Sequence, residues 1–517
     1  MNIGLWISRL GLAMIFFYCI GVSFFFSDFA EMHMTFSFLP FPVFIGEIIL
    51  FSCILLLLGL SRWQKYLGFR TLLLLALYFG WVLLKALINY VHDGPLTCRN
   101  AALFYYPAFS VLAYCFYRGA GVPRNVWVFL SLLGAGILFF KGMVFWYWWT
   151  YLMFFAVALL DIKSDLGRRA GWLFFIVILV LGSEYLYKGP RAHFVSVFFS
   201  IIFLVFSLGR LFIRRNFLLY GAGLLAAFGV FMAGFTIFAD KAAIVSLTSL
   251  NGNIAVYREK DRLYREKEAS FVARDIAPHL YQPNDPAVLP STPVDSQPAV
   301  VPLVTSKTEA LVKPPAGIAP LAGSRVQAPV TPEVKHALVQ ENKGSPVMHQ
   351  TVDMLRQVSA SRVRETRELS LHESNIVFRL FVWRDMAREL IHEKAWFGFS
   401  FGKPQRSRSL EVLGWARGEW GRDGWITPHN SYFHIIYRAG ILGFVFIIIL
   451  FSVVSGLVRD FMSRRSLTGI LLAGALMYWL VLSNFFVILE LPYNAILIWS
   501  LLGITCAYRD NLKAVAG

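Results

Sequence analysis

The sequence predicts an all-α polytopic membrane protein with about twelve transmembrane helices. Hydrophobic residues make up 57% of the 517-residue chain and charged residues only 15%, against about 25% charged in an average soluble domain. The 48 Phe are also too many for the interior of a soluble fold, because only lipid tolerates so much outward-facing apolar surface. The five Cys lie in or beside apolar runs, so no disulfide framework is predicted.

Apolar runs long enough to cross about 30 Å of hydrocarbon recur along the chain, at about 20 residues per helix. A turn near Lys141 is part of this prediction, since Val126 to Leu160 would otherwise form one overlong helix. The twelve predicted spans are Leu5–Phe26, Phe38–Leu60, Leu67–Val91, Ala101–Tyr117, Asn125–Phe140, Val144–Leu160, Gly171–Tyr187, His193–Leu208, Phe217–Phe238, Tyr432–Val458, Leu467–Ile488 and Tyr493–Tyr508.

The Lys and Arg residues of the short loops are divided unequally between the two sides of the predicted bundle. One set of alternate loops holds seventeen, and the other holds only Arg99, Lys141, Lys188 and Arg191. Because short cytoplasmic loops are enriched in Lys and Arg, this asymmetry predicts that both termini are cytoplasmic. It also explains the net charge of +17 without a nucleic-acid partner.

One long segment, residues 239–428, separates the nine predicted helices of residues 1–238 from the three of residues 429–517. The predicted orientation places it in the periplasm. Residues 278–332 carry twelve of the 22 Pro and show no sustained period, which indicates a disordered, Pro-rich linker. Residues 350–402 show helical spacing of apolar side chains, so the large loop is expected to be mainly helical.

Three places combine cationic or titratable side chains with predicted helix starts on the outer face. The first is Lys188-Gly189-Pro190-Arg191. Pro190 suits the first turn of a helix, so Arg191 falls where free backbone N–H groups favour an anion. The alternative is a short turn whose cations snorkel to the membrane interface.

The second place is Thr427-Pro428-His429-Asn430. Thr427 is a good N-cap and Pro428 a good first helical residue, which would put His429 in the first turn. A helix N-terminus disfavours imidazolium, so His429 is expected to be neutral and able to accept a proton. The alternative is an interfacial His without a role. His434 lies deeper in the apolar run and is expected to be a packed or hydrogen-bonded core residue.

The third place is Arg379 with Trp383, on the helix of the long segment. A lone Arg on a helix is usually solvated, but two Arg and a neutral His on one side would suit transfer from a diphosphate, which guanidinium groups bind bidentately. Lys85, near the outer end of the third span, is a further anion-binding candidate because it is ionisable at membrane depth. The alternative is a structural pair with Glu47. Arg99 would add to the same positive field.

Several short motifs follow one another in a particular order along the chain. They are Gly189-Pro190-Arg191-Ala192, Arg379-Leu-Phe-Val-Trp383, Phe397-Gly398-Phe399, Phe401-Gly402, and His429-Asn430-Ser-Tyr432 with Gly440 and Gly443. This order resembles the O-antigen ligase and O-antigen polymerase superfamily, and the layout, with one large periplasmic loop before the last three spans, is similar as well. The sequence departs from the family pattern at Arg438, where members often have an acidic residue, and in having Gly-Pro-Arg instead of a Ser-Arg-Gly turn.

The resemblance implies a metal-independent inverting glycosyltransferase of the bacterial inner membrane, without a cofactor. It would move a glycan from undecaprenyl diphosphate to an acceptor hydroxyl at the periplasmic face, in lipopolysaccharide or surface polysaccharide biosynthesis. The acceptor stays open among lipid A-core, another lipid-linked glycan and a protein. The implied roles are proton acceptor for His429, diphosphate binding for Arg191, Arg379 and Lys85, and support for Asn430, Trp383 and Lys188.

Two other classes of protein are compatible with the same pattern of apolar spans. A non-enzymatic polysaccharide transporter or flippase would also have many spans, but it should carry its key charges near the bilayer midplane and show repeat symmetry. Here the candidate residues cluster at outer helix starts, and no repeat is evident. A membrane scaffold whose periplasmic arm binds partners is the third possibility.

Overall fold

The computed structural model describes residues 3–25, 27–35, 42–60, 66–94, 96–120, 147–160, 191–212, 257–267, 374–413 and 427–516. Residues up to Lys267 and from Asn375 onward form one compact unit, to which the contacts below belong. Three predicted spans (Asn125–Phe140, Gly171–Tyr187 and Phe217–Phe238) lie outside the described residues, as do Lys188, the 278–332 linker and residues 350–373 of the part predicted to be helical.

The described part of the chain is mostly helical, as predicted. Its helices are α1 (Ile3–Phe25), α2 (Ser27–Ala30), α3 (Ile45–Gly59), α4 (Phe69–Asp93), α5 (Leu96–Tyr105), α6 (Ala108–Ala120), α7 (Trp148–Leu160), α8 (Arg191–Phe212), α9 (257–267), α10 (Ser374–His392), α11 (Arg408–Leu413), α12 (Ser431–Ala439), α13 (Ile441–Ser463), α14 (Leu467–Leu482) and α15 (Pro492–Ala516).

Helices α1, α4 and α13 are each long and apolar enough to cross a membrane, among the helices that the structure describes. They also leave large apolar side chains exposed along their length, for example Phe17, Leu84 and Ile448. Such surface is stable against lipid and not against water. The structure therefore supports a membrane protein, while the count of twelve spans stays a prediction.

A two-stranded antiparallel hairpin departs from the all-α prediction. Strand β1 (His33–Met34) pairs with β2 (Val43–Phe44), with His33 opposite Phe44 and Met34 opposite Val43. The hairpin leads directly into α3, whose first N–H, on Ile45, donates to the Met32 carbonyl at 2.9 Å. Two residues per strand are too few to show the alternating apolar pattern on which strand prediction depends.

Two predicted spans are interrupted. The fourth is divided into α5 and α6 at Pro107, since a proline lacks the N–H that would continue the helix. The tenth is divided into α12 and α13 at Gly440, which has φ +57°. A Cβ at Gly440 would lie 2.0 Å from the Trp396 carbonyl oxygen, so the break lets another segment approach the backbone there.

The apolar interior has two parts. In the larger one, α6 packs against α1 and α15, and α14 packs against α7 and α8. The smaller one joins α10, α11 and α12 through side chains that include Phe381, Phe399 and Tyr437. The ring of Tyr257 on α9 lies 5.1 Å from that of Phe381. This second core fixes α10 and α12 beside each other.

Candidate functional site

His429 lies just before α12 and not within it. The N-cap is Asn430, whose side-chain oxygen accepts a hydrogen bond from the Phe433 N–H at 3.0 Å. The prediction that Thr427 caps the helix and His429 lies in its first turn is therefore wrong. His429 has φ +48°, a left-handed conformation that is uncommon for a residue with a side chain. Such outliers persist where the surrounding structure holds them.

Hydrogen bonds on both sides of His429 hold this backbone. The Trp383 indole N–H donates to the Pro428 carbonyl at 2.6 Å, and the indole stacks on Phe433 with ring centroids 5.6 Å apart. After His429, the Ser431 N–H donates to the Ser483 carbonyl at 2.8 Å. Both predicted supporting residues therefore lie beside His429. Trp383 bonds to the backbone before it, and Asn430 caps the helix that follows it.

The imidazole of His429 is kept neutral by its surroundings. Burial, together with the nearby charge of Arg379, lowers its pKa from 6.5 to about 4. The Phe378 ring contacts it edge to face, with centroids 6.2 Å apart. The sequence predicted a neutral His429 from a helix N-terminus. The structure attributes the same state to burial and to Arg379.

Arg379 lies on α10, with its side chain half-buried. Burial lowers its pKa, but a guanidinium keeps its charge at neutral pH. Its guanidinium carbon is 5.7 Å from the centre of the Phe486 ring, which belongs to the connection between α14 and α15. Arg379 is therefore a cation at the edge of a largely apolar site that also holds His429.

Phe486 links this site to the start of α8. Its ring lies 5.9 Å from that of His193, and His193 Nδ1 lies 2.7 Å from the Tyr478 hydroxyl. Arg191, two residues before His193, is the first described residue of α8, and because Pro190 lies outside the described residues, the helix start at Pro190 stays a prediction. These ring contacts connect α8 to Arg379 through His193 and Phe486.

Lys85 is not brought to His429. Its ammonium donates to the carbonyl of Arg438 at 2.6 Å and to that of Phe397 at 3.1 Å. Arg438 is near the end of α12, while His429 precedes the start, and nine helical residues span about 13 Å. The alternative pairing of Lys85 with Glu47 is also wrong. Glu47 instead accepts hydrogen bonds from the hydroxyls of Tyr105 and Tyr106, both at 2.7 Å.

A buried charged network lies along α12, and the sequence predicted only part of it. Arg438 donates through Nε to His434 Nε2 at 3.2 Å, so His434 carries its proton on Nδ1. That Nδ1 lies 2.6 Å from Oε2 of Glu490, and the other carboxylate oxygen, Oε1, lies 3.6 Å from Arg99 Nε. Arg99 is thus paired with Glu490 and does not add a free charge to an anion site. The signal for Glu490 was its place in the apolar run Val487-Ile-Leu-Glu490-Leu.

Within the described ranges, no group of three or more His, Cys, Asp or Glu side chains is arranged to hold a metal ion. Comparison with known proteins finds no matching family, no matching curated protein and no matching solved structure. The case for a function therefore depends on the site itself and on the resemblance carried by its motifs.

Proposed function

We propose that this chain transfers a glycan from a polyprenyl diphosphate, such as undecaprenyl diphosphate, to an acceptor hydroxyl, as a metal-independent inverting glycosyltransferase. The observation that carries the proposal is the neutral imidazole of His429 beside the charged guanidinium of Arg379. The reaction needs a base to take the acceptor's proton and a cation to stabilise the charge on the leaving diphosphate, and this partly desolvated site holds one of each.

The reaction would use the two groups in different ways. The acceptor oxygen attacks the anomeric carbon from the face opposite the diphosphate, and its proton passes to His429. The bond from the anomeric carbon to the phosphate oxygen breaks, and its electron pair leaves with the diphosphate. Arg379 stabilises that growing charge, and Arg191 at the start of α8 is the second diphosphate ligand of the proposal. A positioned general base typically contributes about 10²–10⁴-fold.

The proposal includes a location. The chain would lie in the bacterial inner membrane with twelve spans and cytoplasmic termini, and residues 239–428 would form the periplasmic loop. The acceptor would be lipid A-core for an O-antigen ligase, another lipid-linked glycan for a polymerase, or a protein hydroxyl for an oligosaccharyltransferase. The partners would be the lipid-linked donor, one of these acceptors and the bilayer.

The base assignment is tested with purified protein, a polyprenyl-diphosphate-linked glycan and a panel of the three acceptors. Release of free polyprenyl diphosphate should depend on both donor and acceptor. We expect His429→Ala to lower turnover by about 10²–10⁴-fold. The control is His392→Ala, an exposed His at the end of α10, which should keep the wild-type rate. Full turnover in His429→Ala would exclude His429 as the base.

The diphosphate assignment is tested by Arg379→Lys, which keeps the charge but loses the planar fork. We expect turnover to fall by about 10- to 100-fold, the equivalent of one charged hydrogen bond. Arg388→Lys is the matched control, because Arg388 lies on the same helix with an exposed side chain. Equal rates in the two variants would show that Arg379 does not bind the donor.

A further inference from the structure

An irregular segment lies between α10 and α11 and runs from Trp396 to Lys403; it is called the 396–403 segment below. Five of its backbone carbonyls accept hydrogen bonds from other parts of the structure. Loops on a wet surface leave such carbonyls to water, whereas backbone at membrane depth must be bonded within the protein. The Trp396 carbonyl accepts from the Ile441 N–H at 2.8 Å, and the Phe397 carbonyl accepts from Lys85 at 3.1 Å. The Phe401 carbonyl accepts from the Asn100 amide at 2.5 Å. Arg438 donates to the carbonyls of Ser400 and Lys403, at 2.6 and 2.7 Å.

The backbone of this segment is fixed, but its first two side chains face outward. Trp396 is 62% exposed and Phe397 70% exposed. Gly398, at φ +72°, lies so close to α12 that a Cβ there would meet the Ala439 nitrogen at 2.4 Å. The Phe399 N–H donates to the Tyr437 carbonyl at 2.9 Å. Trp396 and Phe397 are therefore presented by a rigid backbone and not by a free loop.

The exposed pair continues the apolar surface of α13. Ile441, whose N–H bonds Trp396, is 53% exposed, and Phe444 and Ile448 further along α13 are 55% and 50% exposed. Since α13 is long and apolar enough to span a membrane, this surface is its lipid-facing side. The two aromatic side chains stand at its first turn.

Contacts with α4 give the depth of the segment. Ser400 is hydrogen-bonded to Asp93, the last residue of α4. Phe397 bonds Lys85, eight residues earlier on the same helix. Eight helical residues rise about 12 Å. The segment thus lies along the last two turns of α4, with Ser400 at the helix end and Phe397 about 12 Å further in. Because α4 is a candidate membrane span, Phe397 lies at membrane depth.

The geometry points to a bilayer-embedded part of the predicted periplasmic loop: the 396–403 segment dips to membrane depth, and Trp396 and Phe397 insert between lipid chains in the leaflet where α13 begins. Trp is enriched near the membrane–water interface, and Phe is among the side chains that enter the hydrocarbon favourably. The segment would fix the depth of α10, and with it the depth of Arg379. This inference concerns the lipid surface of the same membrane and does not depend on glycan transfer.

The test uses the full-length protein in phosphatidylcholine vesicles, spin-labelled at Phe397→Cys and, separately, at Trp396→Cys. Collision rates of the label with oxygen, which concentrates in lipid, are compared with those of a water-soluble nickel complex. Ile448→Cys is the lipid-facing reference, and Arg262→Cys, on α9 at 71% side-chain exposure, is the water-facing control. The label on wild-type protein, which has five free Cys, gives the background.

We expect the oxygen-to-nickel ratio at both aromatic positions to approach that of Ile448→Cys and to exceed that of Arg262→Cys. A ratio equal to the Arg262→Cys value would overturn the inference, because the pair would then face water. Protection from both reagents would overturn it as well, since a second copy or a partner protein would cover the pair. Both side chains are exposed, so either cysteine should leave folding intact, and the two variants check each other.

Discussion

The neutral state of His429 depends on burial and on the charge of Arg379, and the two causes respond differently to mutation. If the neutral imidazole accepts the proton, activity is present above its folded-state pKa of about 4 and is lost as the pH falls through that value. We therefore predict an acid limb of kcat/KM near pH 4 in the wild type, instead of near 6.5.

Arg379→Gln removes the charge and leaves burial largely in place. Its residual activity should show an acid limb at higher pH than the wild type, since one of the two causes of the low pKa is gone. Arg379→Lys keeps the charge, so its limb should stay where it is while its rate falls. A limb that moved equally in both variants would show that the charge of Arg379 has no part in the titration.

Folding stability should follow the same titration. The folded-state pKa of His429 lies below its ordinary value of 6.5, so the unfolded chain takes up the proton first as the pH falls. The contribution of this residue is thus complete above pH 6.5 and decreases towards pH 4. The left-handed backbone at His429 adds a cost of roughly 1–2 kcal/mol. The bonds to Pro428 and Ser431 offset that cost.

At the scale of elements, the break between α12 and α13 depends on the glycine at position 440. Gly440→Ala would place a Cβ against the Trp396 carbonyl oxygen and force a side chain to accept φ +57°. We predict a lower Tm, with at least the roughly 1–2 kcal/mol cost of the left-handed conformation. The measurement is thermal unfolding in detergent.

A glycine inside α13 provides the control. Gly456 has no atom within 4 Å of the position that a Cβ would take. Gly456→Ala should be neutral or should stabilise by about 0.5–1 kcal/mol, because glycine inside a helix is less favourable than alanine. If Gly440→Ala and Gly456→Ala unfolded at the same temperature, the close approach of Trp396 would have no energetic weight.

Sequence patterns predicted where helices occur but not where they are cut. The segment from Tyr432 to Val458 was predicted as one span, although Gly440 caps the end of α12 and lies against the Trp396 carbonyl. Capping rules favoured Thr427 and Pro428 as the start of α12. The Pro428 carbonyl is instead bonded by Trp383, which is distant in sequence, and Asn430 caps the helix.

The sequence predicted the placement of a candidate site residue where its type and position determine that placement, and not where the placement depends on which distant residues it contacts. His429 and Arg379 stood out by type and position, and the structure brings them together. Lys85 stood out equally, because a Lys at membrane depth looks the same in sequence whether it binds an anion or a backbone carbonyl. Its bonds to Phe397 and Arg438 connect segments more than 300 positions apart in the chain.

At the scale of the whole molecule, the 396–403 segment relates two helix ends. Ser400 bonds Asp93 at the end of α4, and the Trp396 carbonyl bonds Ile441 at the start of α13. These ends therefore lie on the same side of the molecule. Which side faces the cytoplasm stays a prediction, and it depends on the distribution of Lys and Arg among the short loops.

Reporter fusions test that orientation. Seventeen cations against four predict that the C-terminus and the α13–α14 connection face the cytoplasm. A fluorescent protein joined after Gly517 or after Ser463 should then fluoresce, and alkaline phosphatase at either point should be inactive. Alkaline phosphatase inserted within residues 278–332 should be active. The opposite pattern at all three points would show that the orientation is reversed, with the end of α4 and the start of α13 facing the cytosol. His429 and Arg379 could then not meet a donor presented at the periplasmic face.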